Sequence, residues 1–229
     1  MADQRIVVAL DVSTTSELKD LVAQIPNTHC RVKIGKELFT SVGPLAVDIC
    51  HAAGLDVFLD LKFHDIPNTC AKAVLAASRL GVWMTNVHCA GGADMMQAAR
   101  EILEGQAHRP LLIGVTVLTS MSQQDLQETG VERDLEIQVD HLARLAQQSG
   151  LDGVVCSAQE TQRLRQSLGD DFCLVTPGIR PSWSARDDQT RIVTPHEAIK
   201  NGSDYLVIGR PITASADPQQ SIAKIVAEL

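Results

Sequence analysis

Within the run Phe58-Leu59-Asp60-Leu61-Lys62-Phe63-His64-Asp65-Ile66-Pro67-Asn68-Thr69, Asp60 and Lys62 stand two residues apart and Asp65 follows three later. A lysine ammonium beside carboxylates can stabilise developing charge and hand over a proton. Side chains of a strand alternate between faces, so Asp60 and Lys62 project the same way, roughly 6–7 Å apart along the chain. Val57, Phe58, Leu59 and Leu61 flank them, and burying an ion pair among apolar residues costs free energy unless partners compensate it. The bland alternative is an edge strand with a salt bridge. Asp65 lies just past the strand end, where Ile66-Pro67 leads the chain into a helix.

The elements that must position these residues repeat along the chain. Apolar runs read as strands at Ile6–Leu10, Cys30–Ile34, Asp56–Leu61, Trp83–Val87, Leu111–Val117, Gly153–Cys156, Phe172–Val175 and Tyr205–Ile208. Helical sequence follows each one. Ser13-Thr14-Thr15-Ser16-Glu17 caps the first helix, Gly81 closes the one over Cys70–Leu80, and Asp217-Pro218 opens the last. Alternating strands and helices imply a parallel sheet with right-handed crossovers. Eight units in 229 residues, with no linker or composition shift, predict one domain over residues 1–229, a single (β/α)8 TIM barrel of the α/β class. A doubly wound open sheet is disfavoured, because the first strand-to-helix turn reads Leu-Asp-Val-Ser-Thr-Thr and lacks Gly-x-Gly-x-x-Gly.

A barrel of this kind carries its site at the C-terminal ends of the strands. Those ends read Asp11, Lys33, Asp60, Lys62, His88, Thr119, Pro177-Gly178 and Gly209-Arg210. Asp11, Lys33 and the Asp60/Lys62 pair come from three consecutive strands, so they are neighbours, and their alternating charges make a buried array tolerable. The last two ends read as a phosphate grip, with Gly178 and Gly209 admitting close backbone approach and Arg210 offering a bidentate donor in a Gly209-Arg210-Pro211 turn. The polar stretch Arg180–Arg191 before the last helix-strand unit reads either as a solvated loop or as a lid over an anion. His64 points away from Asp60 in a regular strand and is disfavoured as a metal ligand; no metal site is expected. His88 reads as hydrogen-bonded support or core.

Composition narrows the partners. The formal net charge is −8 and no Lys/Arg block stands out, which argues against nucleic acid and anionic membrane surfaces. The six cysteines, at 30, 50, 70, 89, 156 and 173, form no Cys-x-x-Cys pair and read as buried reduced thiols. The N-terminus runs into a strand without a signal-peptide pattern, and no apolar run reaches the length of a membrane span, so a soluble cytoplasmic protein is expected.

Asp60-x-Lys62-x-x-Asp65-Ile66-Pro67-Asn68-Thr69 resembles the signature of the orotidine 5′-phosphate decarboxylase family, bacterial type. So do Leu10-Asp11, Val32-Lys33-Ile34-Gly35, Val115-Thr116-Val117-Leu118-Thr119-Ser120, Thr176-Pro177-Gly178-Ile179-Arg180-Pro181 and Ile208-Gly209-Arg210-Pro211. These motifs run from residue 10 to 211 in the family's order. The Asp-x-Lys-x-x-Asp core alone is shared with sugar-phosphate decarboxylases and synthases on the same barrel, whereas Ile-Pro-Asn-Thr and Thr-Pro-Gly-Ile-Arg-Pro point to the nucleotide enzyme.

The resemblance implies cofactor-independent decarboxylation of orotidine 5′-monophosphate to uridine 5′-monophosphate in pyrimidine biosynthesis. It implies that Lys62 protonates C6 as carbon dioxide leaves, with Asp60 against the substrate carboxylate. Asp11 and Lys33 would hold ribose hydroxyls, and Thr119 would meet the pyrimidine edge. Gln189, the Gly209 backbone and Arg210 would take the phosphate, with Arg180 near that end. Asp65 and Thr69 would reach into the neighbouring site of a homodimer. A magnesium-dependent keto-sugar-phosphate decarboxylase or synthase and a non-catalytic nucleotide-binding barrel are the competing readings.

Overall fold

The computed structural model of the chain describes residues 4–184 and 193–229. Strands β1 (Ile6–Ala9), β2 (Cys30–Gly35), β3 (Val57–Phe63), β4 (Met84–His88), β5 (Leu111–Val115), β6 (Gly153–Val155), β7 (Cys173–Thr176) and β8 (Tyr205–Ile208) pair in sequence order. Every pairing is parallel, and β8 pairs with β1, so the sheet closes into a barrel. The crossovers carry helices α1 (Thr15–Val22), α2 (Lys36–Val42), α3 (Leu45–Ala52), α4 (Pro67–Arg79), α5 (Ala93–Glu101), α6 (Gln123–Glu128), α7 (Leu135–Gln148), α8 (Thr161–Leu168) and α9 (Pro195–Lys200). After β8 come α10 (Arg210–Thr213) and α11 (Pro218–Val226). The predicted barrel is the observed one.

Three local differences have physical causes. α4 begins at Pro67, three residues before the predicted start, because proline is preorganised for the first helical turn. β5 ends at Val115, two residues early; Thr116 turns its hydroxyl onto the Val155 carbonyl, 2.9 Å away. Arg210, expected in a turn, is the first residue of the short helix α10, capped by Gly209.

The alternation of strand side chains builds two kinds of core. Outward residues such as Val8, Val32, Ile34, Leu59 and Ile208 pack against the helices in one cluster, and Val87, Leu112, Val154 and Leu174 do so in another. Inward residues Val7, Ala9, Phe58, Met84, Ile113, Val175 and Val207 fill the barrel axis. Below them Arg31 lays its guanidinium 4.3 Å from the Trp83 ring centroid and 5.4 Å from that of Tyr205, with the two rings edge to face. This cation–π stack closes the N-terminal end. Above the apolar layer, the next inward positions are Lys33, Asp60 and Asn86. The barrel axis therefore passes from an aromatic floor through an apolar middle to a polar mouth.

The barrel interior is tight between β6 and β7. A Cβ at Gly153 would stand 2.2 Å from the Cys173 carbonyl oxygen, and Cys173 is its register partner. Gly153→Ala must push the two strands apart, and such overpacking costs about 1–3 kcal/mol. For a chain of this size each kcal/mol lowers Tm by about 2–4 °C, read by thermal melting. An unchanged melting temperature would mean that the strands are not in contact there.

Candidate active site

The site begins with an irregularity in β3. Its pairing with β4 runs through Leu59↔Thr85 and resumes at Phe63↔Val87, so Asp60, Leu61 and Lys62 bulge from the ladder. Lys62 adopts φ +51°, and it alone among the described non-glycine residues has positive φ. An L-residue with a long side chain holds this conformation at a cost of about 1–2 kcal/mol. The sequence reading placed Asp60 and Lys62 on one face by regular alternation. They do share the mouth, but the left-handed turn brings them together, with Lys62 Nζ donating to Asp60 Oδ1 at 2.6 Å.

Asp60 is buried, and the neighbouring strands supply its partners. Lys33 on β2 places Nζ 3.5 Å from Asp60 Oδ2 and 3.7 Å from Asp11 Oδ1. Asn86 on β4 donates from Nδ2 to Asp60 Oδ1 at 2.7 Å. Burial pushes the Asp60 carboxyl up, but the charges of Lys33 and Lys62 and the bonds from Lys62 and Asn86 outweigh it. The net effect holds Asp60 below the usual carboxylate range. The order Asp11, Lys33, Asp60, Lys62 is an alternating chain of charge, as the sequence predicted, although Asp11 is its exposed end.

Across the barrel mouth, the ends of β7 and β8 meet the end of β1. A cavity of about 180 Å³ opens here, lined by Asp11, Lys33, Gly178, Arg180, Gly209 and Arg210 among others. Gly178 has φ +79°, a conformation that only glycine holds without strain, and it turns the chain so that Arg180 comes back into the wall. Arg180 is buried, with Nη1 donating to the Ile179 carbonyl at 3.3 Å. Arg210 is exposed at the rim. Two arginines and a lysine line this small cavity beside the Asp11 carboxylate, an excess of cations that can attract an anion.

Not every expected residue joins this group. Thr119 is half-buried on the loop after β5. Asp65 and Thr69 are exposed at the start of α4, and the described carboxylate bond of Asp65 is to the Ile66 amide, 2.7 Å away. Gln189 lies outside the described residues, as does most of the Arg180–Arg191 stretch. The His64 and His88 rings lie 5.4 Å apart. Burial, with the nearby charges of His64, Lys36 and Lys62, pushes the His88 imidazole down to about 4, so it is neutral at ordinary pH. Among the described residues no three His, Cys, Asp or Glu side chains converge to hold a metal. No helix among them is long and apolar enough to cross a membrane. The six thiols are unpaired, all but Cys173 fully buried.

Sequence reasoning missed Asn86. It occupies the inward position two residues beyond Met84 and two before His88, so the alternation that placed the other strand-end residues contained the signal. Its position inside the predicted strand Trp83–Val87, rather than at its end, kept it out of view.

The geometry can be set beside known proteins. A model of the family described as "Orotidine 5'-phosphate decarboxylase / HUMPS family" matches residues 4–225. A protein from Saccharophagus degradans named orotidine 5′-phosphate decarboxylase is 58% identical, covering 99% of this chain and 95% of that one. One of the same name from Vibrio campbellii is 58% identical, over 98% of this chain and 97% of its own. Among solved structures, orotidine 5′-phosphate decarboxylase from Lactobacillus acidophilus superposes with a TM-score of 0.88 at 37% identity, covering 99% of both chains. With a family model spanning almost all of the barrel and relatives of that name matching over nearly their full lengths, the chain belongs to the orotidine 5′-phosphate decarboxylase family and is a decarboxylase.

Proposed function

We propose that the chain converts orotidine 5′-monophosphate to uridine 5′-monophosphate and carbon dioxide in pyrimidine biosynthesis, without a cofactor and with Lys62 as the proton donor. The observation that carries this reading is the 2.6 Å contact between Lys62 Nζ and Asp60 in the polar mouth of the barrel. Breaking the C6–carboxylate bond leaves an electron pair in the plane of the pyrimidine ring, where the π system cannot delocalise it. An ammonium beside C6 stabilises that pair and then donates its proton to it. The substrate carboxylate lies against Asp60, and the repulsion between them eases as charge moves onto C6. Asp60 holds the Lys62 ammonium near the reacting carbon, and Lys33 keeps Asp60 ionised.

Asp11 and Lys33 bind the ribose hydroxyls, and Thr119 meets the pyrimidine. Arg180, Gln189, the Gly209 backbone and Arg210 receive the 5′-phosphate. Such contacts far from C6 contribute to the barrier reduction by holding the reacting end in place. Asp60 has one oxygen taken by an ammonium and an amide and the other facing Lys33, a set of partners that suits a carboxylate among cations rather than a divalent ion. The working form is a cytoplasmic homodimer with shared sites. Asp65 and Thr69 are exposed at the mouth beside Ile66, a 67%-exposed apolar side chain, so this edge is open to a second copy.

Lys62→Ala should fold, bind uridine 5′-monophosphate, and lose turnover by at least the roughly 10²–10⁴-fold that a general acid contributes. If that variant kept a large part of wild-type kcat, the proton would come from elsewhere. Exhaustive EDTA treatment should leave turnover unchanged. Loss of activity restored by Mg²⁺ would move the assignment to a metal-dependent sugar-phosphate decarboxylase of the same barrel.

Shared sites are tested by complementation. When Lys62→Ala and Asp65→Ala chains are refolded together in equal amounts, half of the dimers are mixed. One site of each mixed dimer collects both defects and the other neither, so activity should return to roughly a quarter of wild type. Each parent refolded alone sets the baseline. A mixture no more active than the mean of its parents would place Asp65 in its own chain's site.

A further inference from the structure

We propose that Asn86 is a positioning residue for the proton donor, acting by gripping Lys62 and its counter-ion at once. The inference rests on the reading of Lys62 as the acid. Asn86 is fully buried, inside the barrel one strand away from the bulge. Its Oδ1 accepts the Lys62 backbone N–H at 2.7 Å, and its Nδ2 donates to Asp60 Oδ1 at 2.7 Å. That same Asp60 oxygen accepts from Lys62 Nζ at 2.6 Å. The three groups form a closed triangle, in which one amide holds the backbone end of the lysine and the carboxylate that holds its ammonium.

The orientation of the amide follows from chemistry. An N–H needs an acceptor and an ionised carboxylate needs a donor, so Oδ1 must face Lys62 and Nδ2 must face Asp60. A flipped side chain would make two repulsive contacts in a buried site. The interaction also accounts for the left-handed Lys62. The bulge removes that residue's N–H from the main-chain ladder, and an unpaired buried N–H costs about 1–3 kcal/mol. Asn86 supplies the acceptor that β4's backbone does not. The adjacent Thr85 hydroxyl closes the other side of the gap by donating to the Leu59 carbonyl at 3.1 Å. If Asn86 served the bulge alone, its oxygen would suffice; the amide nitrogen on Asp60 ties the backbone conformation to the place of the ammonium.

Asn86→Ala and Asn86→Asp separate this role from a merely structural one. The first removes both contacts. The second keeps the shape and an acceptor for the Lys62 N–H, but turns a second carboxylate toward Asp60. Turnover of orotidine 5′-monophosphate is measured beside binding of uridine 5′-monophosphate, and kcat is expressed per nucleotide-binding site, so a variant that folds only in part is still readable. Both variants should lose kcat by about 100-fold or more, the lower end of what one preorganising donor is worth. KM and product affinity should change by less than about 5-fold, since binding energy shared by ground and transition states is untouched. Lys62→Ala is run alongside. If it stays active, the reading of Lys62 fails; if it is dead while both Asn86 variants turn over within about 3-fold of wild type per site, only the positioning role is overturned.

Discussion

Everything at the mouth of this barrel depends on keeping one buried carboxylate ionised. Asp60 is almost without solvent, and its burial alone favours the neutral acid. Two ammonium groups and an amide reverse that preference. Lys33 comes from the strand before, Asn86 from the strand after, and Lys62 from the same strand two residues on. Remove any of them and the charge loses part of its compensation, in a place where an unpaired charge costs about 3–5 kcal/mol. The same array that keeps Asp60 charged keeps Lys62 in place, so one set of contacts holds both the buried carboxylate and the ammonium.

The barrel makes such an array affordable. Closing eight strands places inward side chains in layers, and the apolar layer at Val7, Phe58, Met84 and Val207 separates the charged mouth from the Arg31–Trp83–Tyr205 floor. Each end of the axis therefore holds cations in a different way. The floor holds Arg31 against the Trp83 and Tyr205 rings, with the Asp56 carboxylate 3.4 Å away, and helps close the structure. The mouth satisfies two lysines with carboxylates and leaves their side chains partly exposed, 13% for Lys33 and 25% for Lys62.

The bulge in β3 connects fold to chemistry. A regular strand would set Asp60 and Lys62 roughly 6–7 Å apart along its axis. Lys62 reaches back to Asp60 with a direct hydrogen bond from a left-handed conformation, whose cost the Asn86 and Thr85 contacts offset. Strain at this one residue is thus held by the neighbouring strand, whose pairing on either side of the gap is regular.

The order of strands and helices was legible because apolar runs and capping residues are local signals. Thr14 and Glu17 do form a capping box, and Pro218 does open the last helix. Asp11, Lys33, Asp60 and Arg210 were legible as residues of the barrel mouth because the strand-end rule turns a position in sequence into a position in space. What the sequence by itself determined was therefore the barrel, its polar rim and the residue types around it. Tertiary structure decided which of those residues touch. The left-handed Lys62, the triangle closed by Asn86 and the return of Arg180 into the cavity wall depend on the register between strands and on a turn at Gly178. The apolar alternation along each strand fixes which face is buried and so forbids one-residue slips, but which residues then meet across strands is decided by packing among residues far apart in the chain.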